Sequence, residues 1–137
     1  MIKMNCTLKC IALTGIGPHV IEELKKGKPR TLELQSAHNL ISLTVVAPGD
    51  VLLLTPVDLD DFSAGDRGIV VQVISLTINM KRLVEYAAPY HYEERERMSA
   101  RIQVRYLNGA MAKSVEGSGW GEPTFAEVLH PSHYRAG

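Results

Sequence analysis

Apolar and polar positions follow two rhythms along this chain, and the rhythm changes where glycine and proline gather. Thr7 to Ile16 is an apolar run interrupted by one lysine, which suits a mostly buried strand ended by Gly15, Gly17 and Pro18. Beyond it, Pro18 fits a first helical position, and Val20, Ile21 and Leu24 fall on one helical face. Glu22 and Glu23 come early and Lys25 and Lys26 late, which complements the helix dipole, and Gly27 stops the helix. From Arg30 to Gln35 the period is two: Leu32 and Leu34 alternate with Thr31, Glu33 and Gln35, as in a half-buried strand.

Leu40 to Val46 is rich in β-branched residues and reads as a strand, followed by the turn Pro48-Gly49-Asp50 and a further strand, Val51 to Leu54. An acidic connection, Val57 to Asp66, leads to the longest β-branched run, Ile69 to Met80. In Lys81 to Met98 the tyrosines and the charged tract Glu93 to Arg97 predict a loop and then a short exposed helix. Arg101 to Leu107 alternates again, sending Arg101, Gln103 and Arg105 to a solvated face and Ile102, Val104 and Tyr106 to the core. Gly117, Gly119 and Gly121 surround Trp120, which either caps the core or offers a stacking platform. A short strand over Thr124 to Leu129 ends the pattern. Six or seven short strands with one early helix and one irregular excursion predict a mainly β fold with minor α, curled into a small and mostly antiparallel barrel.

Composition narrows the classes. The chain has 137 residues, 45% of them hydrophobic and 22% charged, which matches a packed globular fold of single-domain size. Lysine plus arginine and aspartate plus glutamate number 15 each, so any polyanion must be met by a local patch. The N-terminal residues lack the apolar run of a secretory signal, and no stretch is long enough to cross a membrane as a helix, so the expectation is a cytoplasmic protein without a membrane partner. Cys6 and Cys10 on one strand would stand about 13 Å apart, too far for a disulfide.

Two clusters carry candidate binding chemistry. Lys25, Lys26, Lys28 and Arg30 can grip phosphates, the alternative being a solvated helix end. Thr31 and Glu33 share a face, and Glu33 can accept from a base amino group; the alternative is an ordinary exposed carboxylate. The second cluster sets Tyr86, Tyr90, His91 and Tyr92 among Arg82, Arg95 and Arg97, with Arg101 and Arg105 following. Aromatic faces and guanidinium groups in that order suit single-stranded RNA, and Glu85, Glu93, Glu94 and Glu96 offset much of the charge. A zinc set of Cys6, Cys10, His130 and His133 has only borderline spacing. His38, Asn39, Asp58, Asp60, Asp61 and Asp66 have no feature that fixes them together for acid–base work, and no phosphate-loop, dinucleotide or nucleophile-elbow motif is present. The expectation is a binding module with no metal, no cofactor and no catalytic set.

The order Gly27-Lys28-Pro29-Arg30-Thr31-Leu32-Glu33-Leu34-Gln35, then Pro48-Gly49-Asp50-Val51-Leu52-Leu53-Leu54, then Arg67-Gly68-Ile69-Val70-Val71-Gln72-Val73 resembles ASCH domains of the PUA-like barrel superfamily over roughly residues 10–80. The resemblance implies a PUA/ASCH-like barrel with its ligand cleft between the Pro18 to Lys28 helix and the strand Arg30 to Gln35, and RNA or a nucleotide-like small molecule as partner. ASCH amidohydrolases carry lysine where Arg30 stands and arginine where Gln35 stands. An arginine cannot cycle through a neutral proton-accepting form, so the catalytic role does not transfer. Over its whole length, on Cys10-Ile11-Ala12-Leu13-Thr14-Gly15-Ile16, Ser36-Ala37-His38-Asn39 and the Tyr90 to Glu94 region, the chain also resembles domain of unknown function 473, a family of methanogenic archaea with no assigned activity. A small amidohydrolase-like enzyme using Thr31 and Glu33, and a protein-interaction module without nucleic acid, stay open beside the RNA reading.

Overall fold

The computed structural model describes residues 3–88, 91–117 and 121–133, with side chains described for 7–79, 98–117 and 121–129. Its elements are β1 (Lys3–Leu13), α1 (Pro18–Lys25), β2 (Arg30–Leu34), α2 (Ala37–Leu43), β3 (Val51–Leu54), a single 3-10 turn (Leu59–Asp61), β4 (Arg67–Ala88), β5 (His91–Glu116) and β6 (Phe125–His133). The strands join in one sheet of order β2-β5-β4-β3-β1-β6, and a further β5–β6 ladder brings its far end back. Strands β5, β4, β3, β1 and β6 thus form a ring, with β2 laid along the middle of β5, Ala100 to Val104. All pairings are antiparallel except β1 with β3.

Alternation along the strands explains the two cores. Cys10, Ala12, Leu53, Val70, Ala112, Ala126 and Val128 come from all five strands of the ring and pack together, with Phe62 beside them. A narrow ring has room for little inside it, and three of these residues are alanine. The opposite faces of β1, β3 and β4 carry Ile11, Leu13, Leu52, Leu54, Ile69, Val71 and Val73, covered by Ile21 and Leu24 of α1, Leu43 and Val46 at α2, and Leu32 and Leu34 of β2. Strands buried on both faces read as continuous apolar runs, and Leu52-Leu53-Leu54 is one, each residue fully buried. Each such leucine contributes about 1.5–3 kcal/mol of burial.

Helix α1 begins at Pro18 as its sequence predicts, and Gly27 at φ 92° supplies the left-handed residue that ends it. Two expectations are corrected. Leu40 to Val46 is not a strand: α2 makes a second helix, because Asn39, Ser42, Leu43 and Val46 lie at three- and four-residue spacings on one buried face, and that packing outweighs the β preference of Ile41, Thr44 and Val45. The described residues of the excursion Lys81 to Met98 are strand and not a loop or helix, since β4 and β5 continue as a long hairpin with Lys81 opposite Arg97 and Tyr86 opposite Tyr92. In addition, Asn108 to Glu116 is strand because its first part pairs with β4 and its second part with β6, the two ladders meeting at Met111.

Three register shifts interrupt the β4–β5 ladder, and two of them leave Leu107 and Ile74, both exposed, without an opposing residue. No described helix is long and apolar enough to cross a membrane. Cys10 lies in the ring lumen, where burial pushes its thiol up to about 11 while a hydrogen bond from the Leu53 backbone pulls the other way. The folded state therefore holds this proton more tightly than the unfolded chain does, and the associated stability falls as pH rises from about 9 through about 11. Urea melts of Cys10→Ala and the parent across that range should show the parent losing stability faster. Equal slopes would place the thiol outside the lumen.

Candidate ligand cleft

The cleft begins with a turn. After β1 the chain reverses through Thr14-Gly15-Ile16-Gly17 into α1, and a buried amide holds that turn in place. Asn39, only 3% exposed, accepts from the Thr14 backbone N–H through Oδ1 at 3.1 Å and donates from Nδ2 to the Thr14 carbonyl at 2.9 Å. His38 Nε2 lies 2.8 Å from the Thr14 hydroxyl. Downstream, Gly15 N–H donates to the Val57 carbonyl and Ile16 N–H to the Thr55 carbonyl. His38 and Asn39 are thus struts of the turn, and Thr14, 2% exposed, is sealed from solvent. Among the nearby carboxylates, Asp66 accepts from the Ser63 N–H and so closes its own turn. Among the described residues no three His, Cys, Asp or Glu side chains gather as a metal site requires. Cys10 is buried in the lumen, and the side chains of Cys6, His130 and His133 lie outside the described residues.

Strand β2 is the terminal strand of the order, so among the described residues its edge away from β5 carries no ladder. Along that edge Gly15, Ile16, Gly17, Val20 and Arg30 to Leu34 line a cleft of about 210 Å³. Ile16, Leu32 and Leu34 are buried and form an apolar floor, whereas Thr31 and Glu33 are exposed at the rim. An unpaired strand edge also presents N–H and C=O groups to whatever enters. A second hollow of about 340 Å³, lined by Glu23, Lys26, Lys28, Pro29 and Arg30, adjoins the first and shares Arg30 with it.

Of the four clustered cations, two are neutralised. Arg30 pairs with Glu23, and Lys25 Nζ stands 3.2 Å from Glu22 Oε1. Neither Lys26 nor Lys28 pairs with a carboxylate among the described residues, so these two carry the local positive charge.

The ladder between β2 and β5 sets Thr31 opposite Gln103 and Glu33 opposite Arg101, and opposed residues have Cβ atoms about 5 Å apart. Arg101 and Arg105 are exposed, as the alternation predicts. Arg105 is also tethered, donating from Nε at 2.9 Å and from its terminal nitrogen at 2.5 Å to Gln72 Oε1. The cleft rim and the cationic stretch of β5 therefore occupy adjacent strands. Tyr90 lies outside the described residues. Tyr92 belongs to the distal part of the hairpin, away from β2, and its side chain is outside the described set.

The family described as proteins of unknown function, DUF473, matches residues 8–126. The chain belongs to that family. The matched region of this DUF473 chain includes both walls of the cleft, the Asn39 strut and the arginine stretch of β5. No curated protein and no solved structure matches the chain.

Sequence reasoning found the β2 wall and missed the other one. Gly15 to Gly17 read only as the end of a strand, and their partner Asn39 lies 25 residues away in the chain from Thr14. The signal that was available is the pair of polar residues Asn39 and Ser42 at helical spacing among apolar neighbours.

Proposed function

We propose that this chain is an RNA- or nucleotide-binding module of the cytoplasm, a single PUA/ASCH-like domain of the methanogen type that its sequence resembles, with the cleft beside β2 as the base-binding pocket. The observation that carries the reading is the pairing of two neighbouring hollows through Arg30: one with an apolar floor and a Thr31–Glu33 rim, one with Lys26 and Lys28. A planar base suits the first, since Glu33 accepts from an exocyclic amino group and the flat floor excludes water. A phosphate suits the second. Arg101 and Arg105, one strand over, extend the cationic track for a longer strand of RNA.

Fluorescence titration with single-stranded, duplex and transfer RNA and with free nucleotides tests the reading. Micromolar binding that weakens with salt is expected, and no binding at low salt overturns it. In Glu33→Gln, preference for a base carrying an amino group should fall about tenfold while the melting temperature stays unchanged, because Glu33 is exposed. Unchanged base preference in that variant would remove Glu33 from the site.

Arg101→Ala with Arg105→Ala should weaken RNA binding and lower the salt slope by about two phosphate contacts, at a stability cost of about 1 kcal/mol or less, since both residues are exposed. A double variant with the parent's salt slope would place the RNA elsewhere.

A further inference from the structure

Glu33 is an open acceptor at the rim of the cleft. Leu32 and Leu34 turn to the core, so alternation sends Thr31 and Glu33 to the solvated face of β2, where both are exposed. Among the described residues the carboxylates that accept hydrogen bonds are those of Glu22, Glu23, Asp50, Asp66 and Glu116, and Glu33 is not one of them. Arg101 stands opposite Glu33 in the ladder, where opposite charges commonly pair, yet no ion pair joins the two. Arg30, at the start of the same strand, is taken by Glu23. Both oxygens of Glu33 thus stay available to a ligand seated on the apolar floor.

An ionised carboxylate offers two adjacent acceptors and no donor, so two adjacent donors satisfy it in full. Among the RNA bases only guanine carries such a pair on its Watson–Crick edge, N1–H beside the 2-amino group. Adenine and cytosine set their amino group beside a ring nitrogen that accepts, and uracil sets its N–H between two carbonyls. Each of these turns a lone pair toward the second carboxylate oxygen, which leaves that oxygen unsatisfied and repelled. We propose that the cleft selects guanine, in an unpaired strand or a free nucleotide, and that Glu33 is the residue that reads it. This rests on the base-binding reading of the cleft and narrows it to one base. The remaining acceptor on that edge, O6, lies next to the two donors, and the unladdered N–H groups of the β2 edge are the donors at hand. Arg30 stands three residues from Glu33, about 10 Å along β2, a span that one nucleotide covers from base edge to phosphate. There it borders the hollow of Lys26 and Lys28. In a duplex the Watson–Crick edge is already occupied, so a paired guanine is not read.

Fluorescence titration at fixed low salt with labelled pentauridylates carrying one central guanine, inosine, adenine or cytosine tests the assignment. The guanine pentamer should bind about tenfold or more tightly than the inosine pentamer, which lacks the 2-amino group, and than the adenine and cytosine pentamers. The same guanine paired in a duplex should lose that advantage. Guanosine monophosphate should displace the pentamer: displacement near the pentamer's own Kd makes the free nucleotide a sufficient ligand, and displacement only far above it assigns the site to RNA, guanine being read in both. In Glu33→Gln the lead of guanine should shrink to within about twofold, because the amide replaces one acceptor by a donor, with the melting temperature unchanged. A parent that binds every pentamer within about twofold, or prefers another base, overturns the guanine assignment and leaves the base-binding reading standing. A Glu33→Gln variant that keeps the full lead removes Glu33 as the reader and overturns it too. A parent that binds no pentamer overturns both readings.

Discussion

Asn39→Ala should lower stability by about 3 kcal/mol, because it removes two hydrogen bonds and leaves the N–H and C=O of Thr14 buried without partners. At the roughly 4 °C per kcal/mol that suits a chain of this size, the melting temperature should fall by about 12 °C. Asn39→Asp is an informative comparison. An ionised carboxylate still accepts from the Thr14 N–H but cannot donate to the Thr14 carbonyl, and it introduces a buried charge, so at neutral pH it should fare no better than alanine. His38→Ala loses only the contact to the Thr14 hydroxyl from a half-buried ring and should cost about 1 kcal/mol. The turn also forms one wall of the cleft, so ligand affinity should fall in Asn39→Ala at temperatures where the variant is still folded. An alanine variant melting within a degree or two of the parent would mean that the turn holds itself.

Gly68→Ala should be as damaging, by another route. Gly68 lies where β4 enters the ring, and a Cβ placed there collides with the carbonyl oxygen of Leu54 on β3 and comes to 3.0 Å from the Leu53 Cδ1. The obstacle is backbone inside a ladder that pairs Leu54 with Ile69, so it cannot rotate away as a side chain end can. Relief requires β3 and β4 to part where the ring is held by only four rungs, Val51 to Leu54 against Ile69 to Gln72. A loss of about 3 kcal/mol or more is expected from a total that for such domains is about 5–15 kcal/mol. Urea denaturation would register it as a lower midpoint with a similar slope. A parent-like midpoint would show that the β3–β4 seam has slack.

What the sequence could and could not reveal follows from the range of the interactions involved. Strand β2 and the Arg101 to Arg105 stretch were legible because one face of each is buried and the other solvated, and a period of two is a local signal. Helix α1 was legible from its proline, its apolar face and its glycine stop. Helix α2 was not, because two positions of its buried face are polar: Asn39 is satisfied by Thr14, and Ser42 accepts from the Thr124 N–H, 82 residues away. Read without those partners, the β-branched Ile41, Thr44 and Val45 dominate. The stretch Asn108 to Glu116 is low in β preference, yet the lumen needs a small residue at Ala112, and the ladders to β4 and β6 impose the conformation. The distal hairpin was misread for the same reason, since a dense charged tract resembles an exposed helix until its partner strand is known.

The same distinction applies to the cleft. Its β2 wall carries Arg30, Thr31 and Glu33 in consecutive sequence, whereas its other wall, Gly15 to Gly17, is set by contacts to Val57, Thr55 and Asn39. The four clustered cations also looked equivalent in sequence. The fold separates them: Glu22 reaches Lys25 one helical turn on, Glu23 reaches Arg30 at the start of β2, and Lys26 and Lys28 keep the positive field.

The most direct measurement of the cleft reading is the set of backbone amide resonances that move when a short single-stranded RNA or a nucleotide is added to isotopically labelled protein. Binding at this cleft predicts saturable shifts at Gly15, Ile16, Gly17 and Thr31 to Leu34, smaller ones at Lys26, Lys28 and Arg101, and little change at ring-lumen residues such as Ala126 and Val128. Saturable shifts confined to any other surface, or none up to millimolar ligand where even weak specific sites of about −4 kcal/mol fill, would contradict it.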